Sequence, residues 1–569
     1  MLASIAARAR SLLPGRRDAR RDAIAGLPAA ISSVPDGMAA SVLAGVNPIH
    51  GLYACVAGPV AGGLTAGTQR MMITTTSAAA LAAGSALQGV PAGQRDDAVL
   101  LLTLLAGLVM VGAGIARLGR YTRFVSHSVM MGFLTGVAVN IVLGQIPHLL
   151  GAPADGDTAI EKALHVLTHP GGVELSSAAC GASAILILLG LARTPLRPVG
   201  ALFALAMPTL AIVLLGVDSV AQVSDIGAIP AGLPSPALPN LGTLNADLAI
   251  GAFSIAAIVL VQGAGVRQSA PNLDASRSRI NTDFIAQGVG NLAAGLLRGQ
   301  PVGGSVGTTA LSVAAGARTR WAAIFAGAWM AVILIAFSGQ IGKVVLPTLA
   351  AILIFAGVGS IRHGQLVTIA RAGGVGRVAV VTTFVATLAL PIAAAVGVGV
   401  ALSLVLQLNQ EASDLRVVSL VPTDDGGLRE GPAPTALQPR SVALLEIYGS
   451  LLFAGARTLE ARLPDVADAT RAAVVLRLRG RVNLGTTFLV VVLEYQEQLA
   501  AAGGRLFLSG VDASLLDQLR RARAADVEGA GIQAFVATEV LGESTLDGYR
   551  AAQAWASEVS PDAEPASGC

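Results

Sequence analysis

Apolar runs of roughly 17–25 residues, the length that crosses a bilayer as helix, follow one another from about residue 23 to about residue 410 with only short polar breaks. Runs of that kind, repeated so often, restrict the chain to a bundle of membrane-spanning helices. Of the 569 residues, 53% are hydrophobic and 13% charged, about half the charge of an ordinary soluble domain. The deficit ends near residue 411, where charged residues return. The expected organisation is therefore a basic N-terminal segment 1–22, a membrane domain 23–410, a polar linker 411–440, a soluble α/β domain 441–560 and a tail 561–569.

The apolar region divides into fourteen segments, near 23–45, 50–66, 74–90, 98–116, 124–146, 176–192, 199–216, 246–266, 283–297, 305–316, 321–338, 345–360, 376–390 and 391–410. With that count, twenty basic residues fall on the side of the N-terminus and four, Arg95, Lys162, Arg298 and Lys343, on the other. The positive-inside rule then places both termini in the cytoplasm and the chain in the cytoplasmic (inner) membrane. The opening MLASIAARARSLLPGRRDARRD is Arg-rich and amphipathic, with no apolar core or cleavage site of a signal peptide. Cys55, Cys180 and Cys569 imply no disulfide framework.

Two of the segments are short and begin alike. Residues 72–84 read MITTTSAAALAAG and residues 307–316 read GTTALSVAAG. They are the third segment of each half of seven, and paired short segments in corresponding positions point to a transporter's binding site. If each begins a half-helix near mid-membrane, its free N–H groups and positive dipole end form an anion site without a buried cation. Thr75, Thr76 and Ser77, with Ser305, Thr308 and Thr309, would add hydroxyl donors. Gly303, Gly304 and Gly307 would let backbone approach closely. Ordinary helix packing through small residues is the competing reading.

The first segment, LPAAISSVPDGMAASVLAG, carries Asp36 between Pro35 and Gly37. It is expected to be the one acid held inside the apolar layer, in a locally opened helix. An ionised Asp costs about 2.5–3.5 kcal/mol at mid-helix, so Asp36 is read as facing a cavity or holding a proton part of the time, and so as able to carry one during transport; a structural Asp hydrogen-bonded to a neighbouring segment is the competing reading.

The stretch PDGMAASVLAGVNPIHGLYACVAGPVAGGLTAGTQR, from Pro35 to Arg70, and PVGGSVGTTALSVAAGARTR at 301–320 resemble the SulP family of anion transporters, and the soluble tail resembles the STAS domain that ends its members. The resemblance spans essentially the whole chain. It implies two inverted repeats of seven segments divided into core and gate domains, an elevator-like movement of the core, and a homodimer. The chain departs from the family pattern where substrate is chosen. Thr75 and Thr76 stand where many members have Gly-Pro, and Gly307 and Thr308 where sulfate and chloride carriers often have Ser-Arg. Gln262 replaces an acid of the eighth segment, and Asp36 replaces a Gln. Proton symport through Asp36 would offset the anion's charge.

In the tail, 421–440 (VPTDDGGLREGPAPTALQPR) reads as linker, SVALLEIYGSLLF, AAVVLRLRG and RLFLSGV as strands, and FLVVVLEYQEQLAAAGG and DASLLDQLRRARAAD as helices. Soluble STAS relatives phosphorylate a Ser that follows an Asp; here Gly485 and Thr486 hold those places, which leaves Thr486 as a helix cap. The six histidines, His50, His127, His148, His165, His169 and His363, make no metal-ligand spacing, and no phosphate-binding G-x-x-x-x-G-K-[ST] occurs. The reading is a secondary active carrier with no enzyme activity, cofactor, metal or nucleic-acid partner. It would move sulfate or another small oxyanion or carboxylate with protons. Sodium-coupled or uncoupled bicarbonate or dicarboxylate carriage, or an anion channel, are the alternatives. Its partners would be the anion and protons, the lipid bilayer, a second copy and a cytoplasmic regulator at the STAS domain.

Overall fold

Each of the fourteen expected segments contains a helix in the computed structural model, which describes residues 16–558 apart from 125, 157, 228–231, 274–278, 425–426, 452, 467–468, 482–484 and 522–531. The first half contains α1 (Arg16–Ala44), α2 (Ile49–Thr65), a strand β1 (Ile73–Thr75), α3 (Ser77–Ala86), α4 (Arg95–Ile115), α5 (His127–Leu150), α6 (Leu175–Leu191) and α7 (Gly200–Leu215). The second repeats the order with α8 (Ala246–Ser269), α9 (Ile280–Leu296), a strand β2 (Val302–Gly304), α10 (Val306–Ala314), α11 (Trp321–Gly342), α12 (Leu346–Ser360), α13 (Gly374–Ala389) and α14 (Ile392–Ser413). Of the expected segment 1–22, Arg16–Asp22 form the first turns of α1; the remainder, like the expected tail 561–569, lies outside the described residues.

The helices sort into two packed groups. α1–α4 pack with α8–α11, while α5, α6 and α7 pack with α12 and α13, and α14 lies against α5 and α13 through Gly399. These are the core and gate groups of an inverted-repeat transporter. The core is packed through glycine: a Cβ on Gly107 of α4 would come 2.9 Å from the Gly288 carbonyl oxygen of α9, so the two helices touch backbone to backbone.

Two expectations fail in this region. α1 is continuous through Pro28 and Pro35 rather than opened at Asp36. Gly37 serves a close crossing instead, since a Cβ there would sit 3.0 Å from both Cys55 Sγ and the Gly51 carbonyl oxygen of α2. Nor is Asp36 the one embedded acid, because Asp283, in the first turn of α9, is 2% exposed.

The third and tenth segments are strand followed by helix, not helix throughout. β1 and β2 pair antiparallel, Ile73 with Gly304, Thr74 with Gly303 and Thr75 with Val302. Extended backbone survives at membrane depth only where protein satisfies its polar groups, and this pairing supplies much of that.

Contacts divide the chain into two units, the first ending at Ser403 and the second beginning at Leu404. Beyond α14, the second unit is an α/β domain whose six strands lie in the order β4-β3-β5-β6-β7-β8. They are β3 (Arg416–Pro422), β4 (Leu428–Pro432), β5 (Val442–Tyr448), β6 (Ala473–Arg477), β7 (Arg505–Val511) and β8 (Ile532–Val536). β5 to β8 are parallel, and β3 and β4 add an antiparallel edge. Successive side chains point to opposite faces, so Leu445, Leu476 and Leu508 enter one apolar core while Leu444, Val475 and Phe507 enter another. Helices α15 (Phe453–Glu460), α16 (Thr486–Ala501), α17 (Ala513–Arg521) and α18 (Glu543–Ser557) complete the unit.

The expected linker 411–440 therefore contains the edge hairpin of β3 and β4. Its Pro and Gly residues read as linker, but they sit where an edge hairpin tolerates them, Pro422 and Pro432 at strand ends. Thr486 is the first helical residue of α16 after Gly485 and makes no side-chain cap, so its expected capping role is also corrected.

Candidate anion site

A Thr or Ser directly before an apolar run places a hydroxyl where the first helical N–H groups need an acceptor. Both half-helices use this. Thr76 Oγ1 accepts from Ala79 N at 3.3 Å at the start of α3, and Ser305 Oγ accepts from Thr308 N at 3.3 Å at the start of α10. Helix geometry leaves the N–H groups of Ser77 and Ala78, and of Val306 and Gly307, without intrahelical partners. Because β1 and β2 are antiparallel, α3 and α10 leave opposite ends of the strand pair. The positive dipole ends of both helices therefore point back at it.

The pair is held by a polar stripe on α9. Asp283, Gln287 and Asn291 recur every four residues and so share one face. Asp283 accepts from Thr68 N and Thr68 Oγ1, both at 2.7 Å, and fixes the turn that enters β1. Gln287 Oε1 accepts from Gly304 N at 3.0 Å. Asn291 brackets Val302, accepting from its N at 3.0 Å and donating to its carbonyl at 2.7 Å. The two repeats are stitched together beyond the strands: Ser305 N donates to the Met72 carbonyl at 2.9 Å and Met72 N to Thr309 Oγ1 at 3.0 Å.

α8 packs on the other side of β2. A Cβ on Gly303 would lie 2.9 Å from Val259 Cγ1, and one on Gly304 would lie 3.2 Å from Gly263 Cα. Gln262 shares the face of Val259 and Gly263, and its Oε1 is buried without a protein hydrogen-bond partner. Among the described residues it therefore keeps hydrogen-bonding capacity that no neighbour uses. Gly307 differs from its neighbours: nothing lies within 4 Å of a Cβ built on it. The face of α10 that Gly307 presents is therefore open.

α1, which carries Asp36, meets the site through Cys55 of α2. Cys55 Sγ lies 3.4 Å from Thr75 Oγ1 and 3.3 Å from Thr74 Oγ1, and donates to the Ser33 carbonyl of α1 at 3.6 Å. Asp36 is half-buried, and among the described residues its carboxylate has a single hydrogen bond, from Ser32 Oγ at 3.3 Å. The contrast with Asp283, whose two oxygens are each bonded to Thr68, separates an acid that holds structure from one with spare capacity. Arg70, the basic residue nearest to β1 in sequence, donates to the Pro271 carbonyl and is used in joining loops.

The structure thus brings Thr75, Thr76, Ser77, Gly304, Ser305, Thr308 and Thr309 together around one strand pair, with Gln262 on the adjoining helix and Asp36 on α1 next to Gly37, which crosses α2 at Cys55. Cys55, Gln287 and Asn291 were not anticipated. The four-residue recurrence of polar side chains in DFIAQGVGNLAAGLL is the signal that would have found the last two. His165 and His169 stack at 4.6 Å at the end of the short helix Ala159–Thr168, away from these elements.

Two half-helices opposed across a strand pair, in a bundle of inverted repeats, are the arrangement of a membrane transporter. Residues 20–387 match the sulfate permease family and residues 433–538 the STAS domain. With more than half its length in the first match, the chain belongs to the sulfate permease family. A Mycobacterium tuberculosis protein described as a probable sulfate transporter is 27% identical over 522 residues, 90% of this chain and 93% of that protein. The bicarbonate transporter BicA of Synechocystis is 23% identical over 508 residues, 87% of this chain and 88% of BicA. The solved structure of SLC26A9 superposes with a TM-score of 0.81 at 15% identity, covering 97% of this chain and 94% of that one, and shows the same fold. The chain is accordingly a multi-pass membrane anion transporter and not an enzyme.

Proposed function

We propose that the chain carries sulfate or another small oxyanion or carboxylate together with protons, at the junction of β1, β2, α3 and α10. The observation that carries this reading is the convergence of two helix N-termini on a strand pair with an under-bonded carboxylate close by. The free N–H groups of Ser77, Ala78, Val306 and Gly307 would bind the anion. Thr76 Oγ1 accepts within its own helix and keeps its O–H to donate. Thr75, Ser77, Ser305, Thr308 and Thr309 add hydroxyls, and the Gln262 amide turns its N–H₂ to the anion when its oxygen takes another partner. No fixed cation stands among these groups, so a proton on Asp36 would offset the charge of a dianion.

The packed core and gate groups support an elevator-like cycle in which the core carries the site past the gate. The distribution of arginines supports an inner-membrane protein with cytoplasmic termini. The family resemblance supports a homodimer, with the STAS domain as the place for a cytoplasmic regulator.

The test is internal acidification of proteoliposomes holding a trapped pH dye, after external addition of sulfate, fumarate, bicarbonate or chloride. Bicarbonate requires protein-free vesicles as a control, because carbon dioxide crosses lipid unaided. One anion should acidify the lumen, and Asp36→Asn should reduce that signal at least about tenfold, the effect of losing an essential proton carrier. Equal labelled-anion uptake in both proteins with no pH change would leave a sodium-coupled or uncoupled carrier and would make Asp36 structural; the likeness to BicA bears on bicarbonate as the cargo.

A further inference from the structure

Between α12 and α13 lies a short helix, His363–Ala372, joined to them by Ile361 and Arg362 on one side and by Gly373 on the other. Two residues reach no more than about 7 Å, so both ends of this helix are tied to the ends of membrane-spanning helices. It must lie at the bilayer surface. On the orientation read from the arginines, that surface is cytoplasmic.

Its two faces differ. Leu366 and Ile369 are half-buried, and Ile369 packs beside Gly376 in the first turn of α13, where a Cβ would come 3.2 Å from its Cγ2. His363, Val367, Ala370 and Arg371, spaced four, three and one residues apart, form the opposite stripe and are all exposed. Arg362 and Arg377 bracket the stripe and are also exposed. Val367, Val375 and Val378 are 47%, 40% and 51% exposed beside these arginines. Among the described residues, none of the three arginines forms an ion pair. The sequence offers none nearby, because no Asp or Glu occurs between Asp283 and Glu411.

A preference for positive charge in cytoplasmic loops would be met by arginines anywhere in the loop. Here three arginines without counter-ions share about sixteen residues with outward-facing valines, at a depth fixed by the neighbouring helices. That combination matches a phosphate headgroup above and acyl chain below. We infer that the His363–Ala372 helix, with Arg362, Arg371 and Arg377, binds an anionic phospholipid of the cytoplasmic leaflet on the gate group.

The experiment uses the full chain in liposomes doped with photoreactive phosphatidylglycerol or photoreactive phosphatidylcholine, followed by mass mapping of the lipid adducts. Adducts on residues 362–378 are expected in several-fold excess for phosphatidylglycerol, and high salt should lower that excess. The triple variant Arg362→Gln, Arg371→Gln, Arg377→Gln should lose it, bringing the two lipids to equal labelling, while the triple Lys variant keeps it. Equal labelling by both lipids, or an excess that survives in the Gln variant, would overturn the inference. If the Gln variant fails to insert, the wild-type comparison of the two lipids and its salt dependence still decides. The readout is independent of which anion is carried.

Discussion

The two strand–helix units of the site occupy equivalent places in the repeats, yet they are held by different means. β1 is built of Ile73, Thr74 and Thr75, and its hydroxyls are tied to Cys55. β2 is built of Val302, Gly303 and Gly304, and its backbone is held directly by Asn291 and Gln287 and pressed against Val259 and Gly263. The first unit therefore presents side chains that can change partner, whereas the second presents main chain that cannot move without breaking buried hydrogen bonds. Repeats that share a topology have split the work, one supplying adaptable donors and the other a fixed wall.

The largest effect should come from removing the wall's support. Asn291→Ala leaves a buried N–H and C=O of Val302 unpaired, at about 2–3 kcal/mol. The expected result is a clear fall in thermal midpoint together with loss of transport, read by unfolding in detergent and by anion uptake. A normal midpoint would mean that β2 is not held through α9.

Gly303→Ala comes next. Its Cβ would press on Val259, and overpacking of this kind costs about 1–3 kcal/mol. Because the clash is with one side chain, Val259→Ala in the same chain should restore most of the lost uptake. Absence of rescue would show that the glycine serves backbone conformation rather than packing.

The smallest effect belongs to the adaptable unit. Thr75→Val keeps the shape and removes one hydroxyl, so the thermal midpoint should stay within the equivalent of about 1 kcal/mol while the KM for the anion rises roughly fivefold. An unchanged KM would assign the Thr75 hydroxyl to Cys55 alone.

Much of the site could be read along the chain. Thr76 and Ser305 announce helix starts by residue type, and the arginine asymmetry needs only loop positions. The strands of the soluble unit show as apolar runs such as VALLEIY and AVVLR. What could not be read is the pairing of β1 with β2, because strand pairing between distant segments leaves no local period. A three-residue strand followed by a helix looks like helix throughout. Asp283 went unnoticed because it stands at a segment boundary, where an acid usually meets water; its burial depends on Thr68, which lies 215 residues away in sequence. The edge hairpin of β3 and β4 was hidden by its composition, since the features that let an edge strand tolerate Pro also make it resemble a linker.

The β1–β2 pair also has a consequence in time. β1 leaves the ribosome long before β2, and its partner strand begins only at Val302. At about 5–20 residues per second, β1 waits on the order of tens of seconds in or near the bilayer. Through that interval its amides lack their eventual partners, and each unsatisfied group in lipid costs several kcal/mol. The third segment is thus expected to remain near the insertion machinery until the tenth has been made, so that the anion site cannot be completed until more than half of the chain has been synthesised.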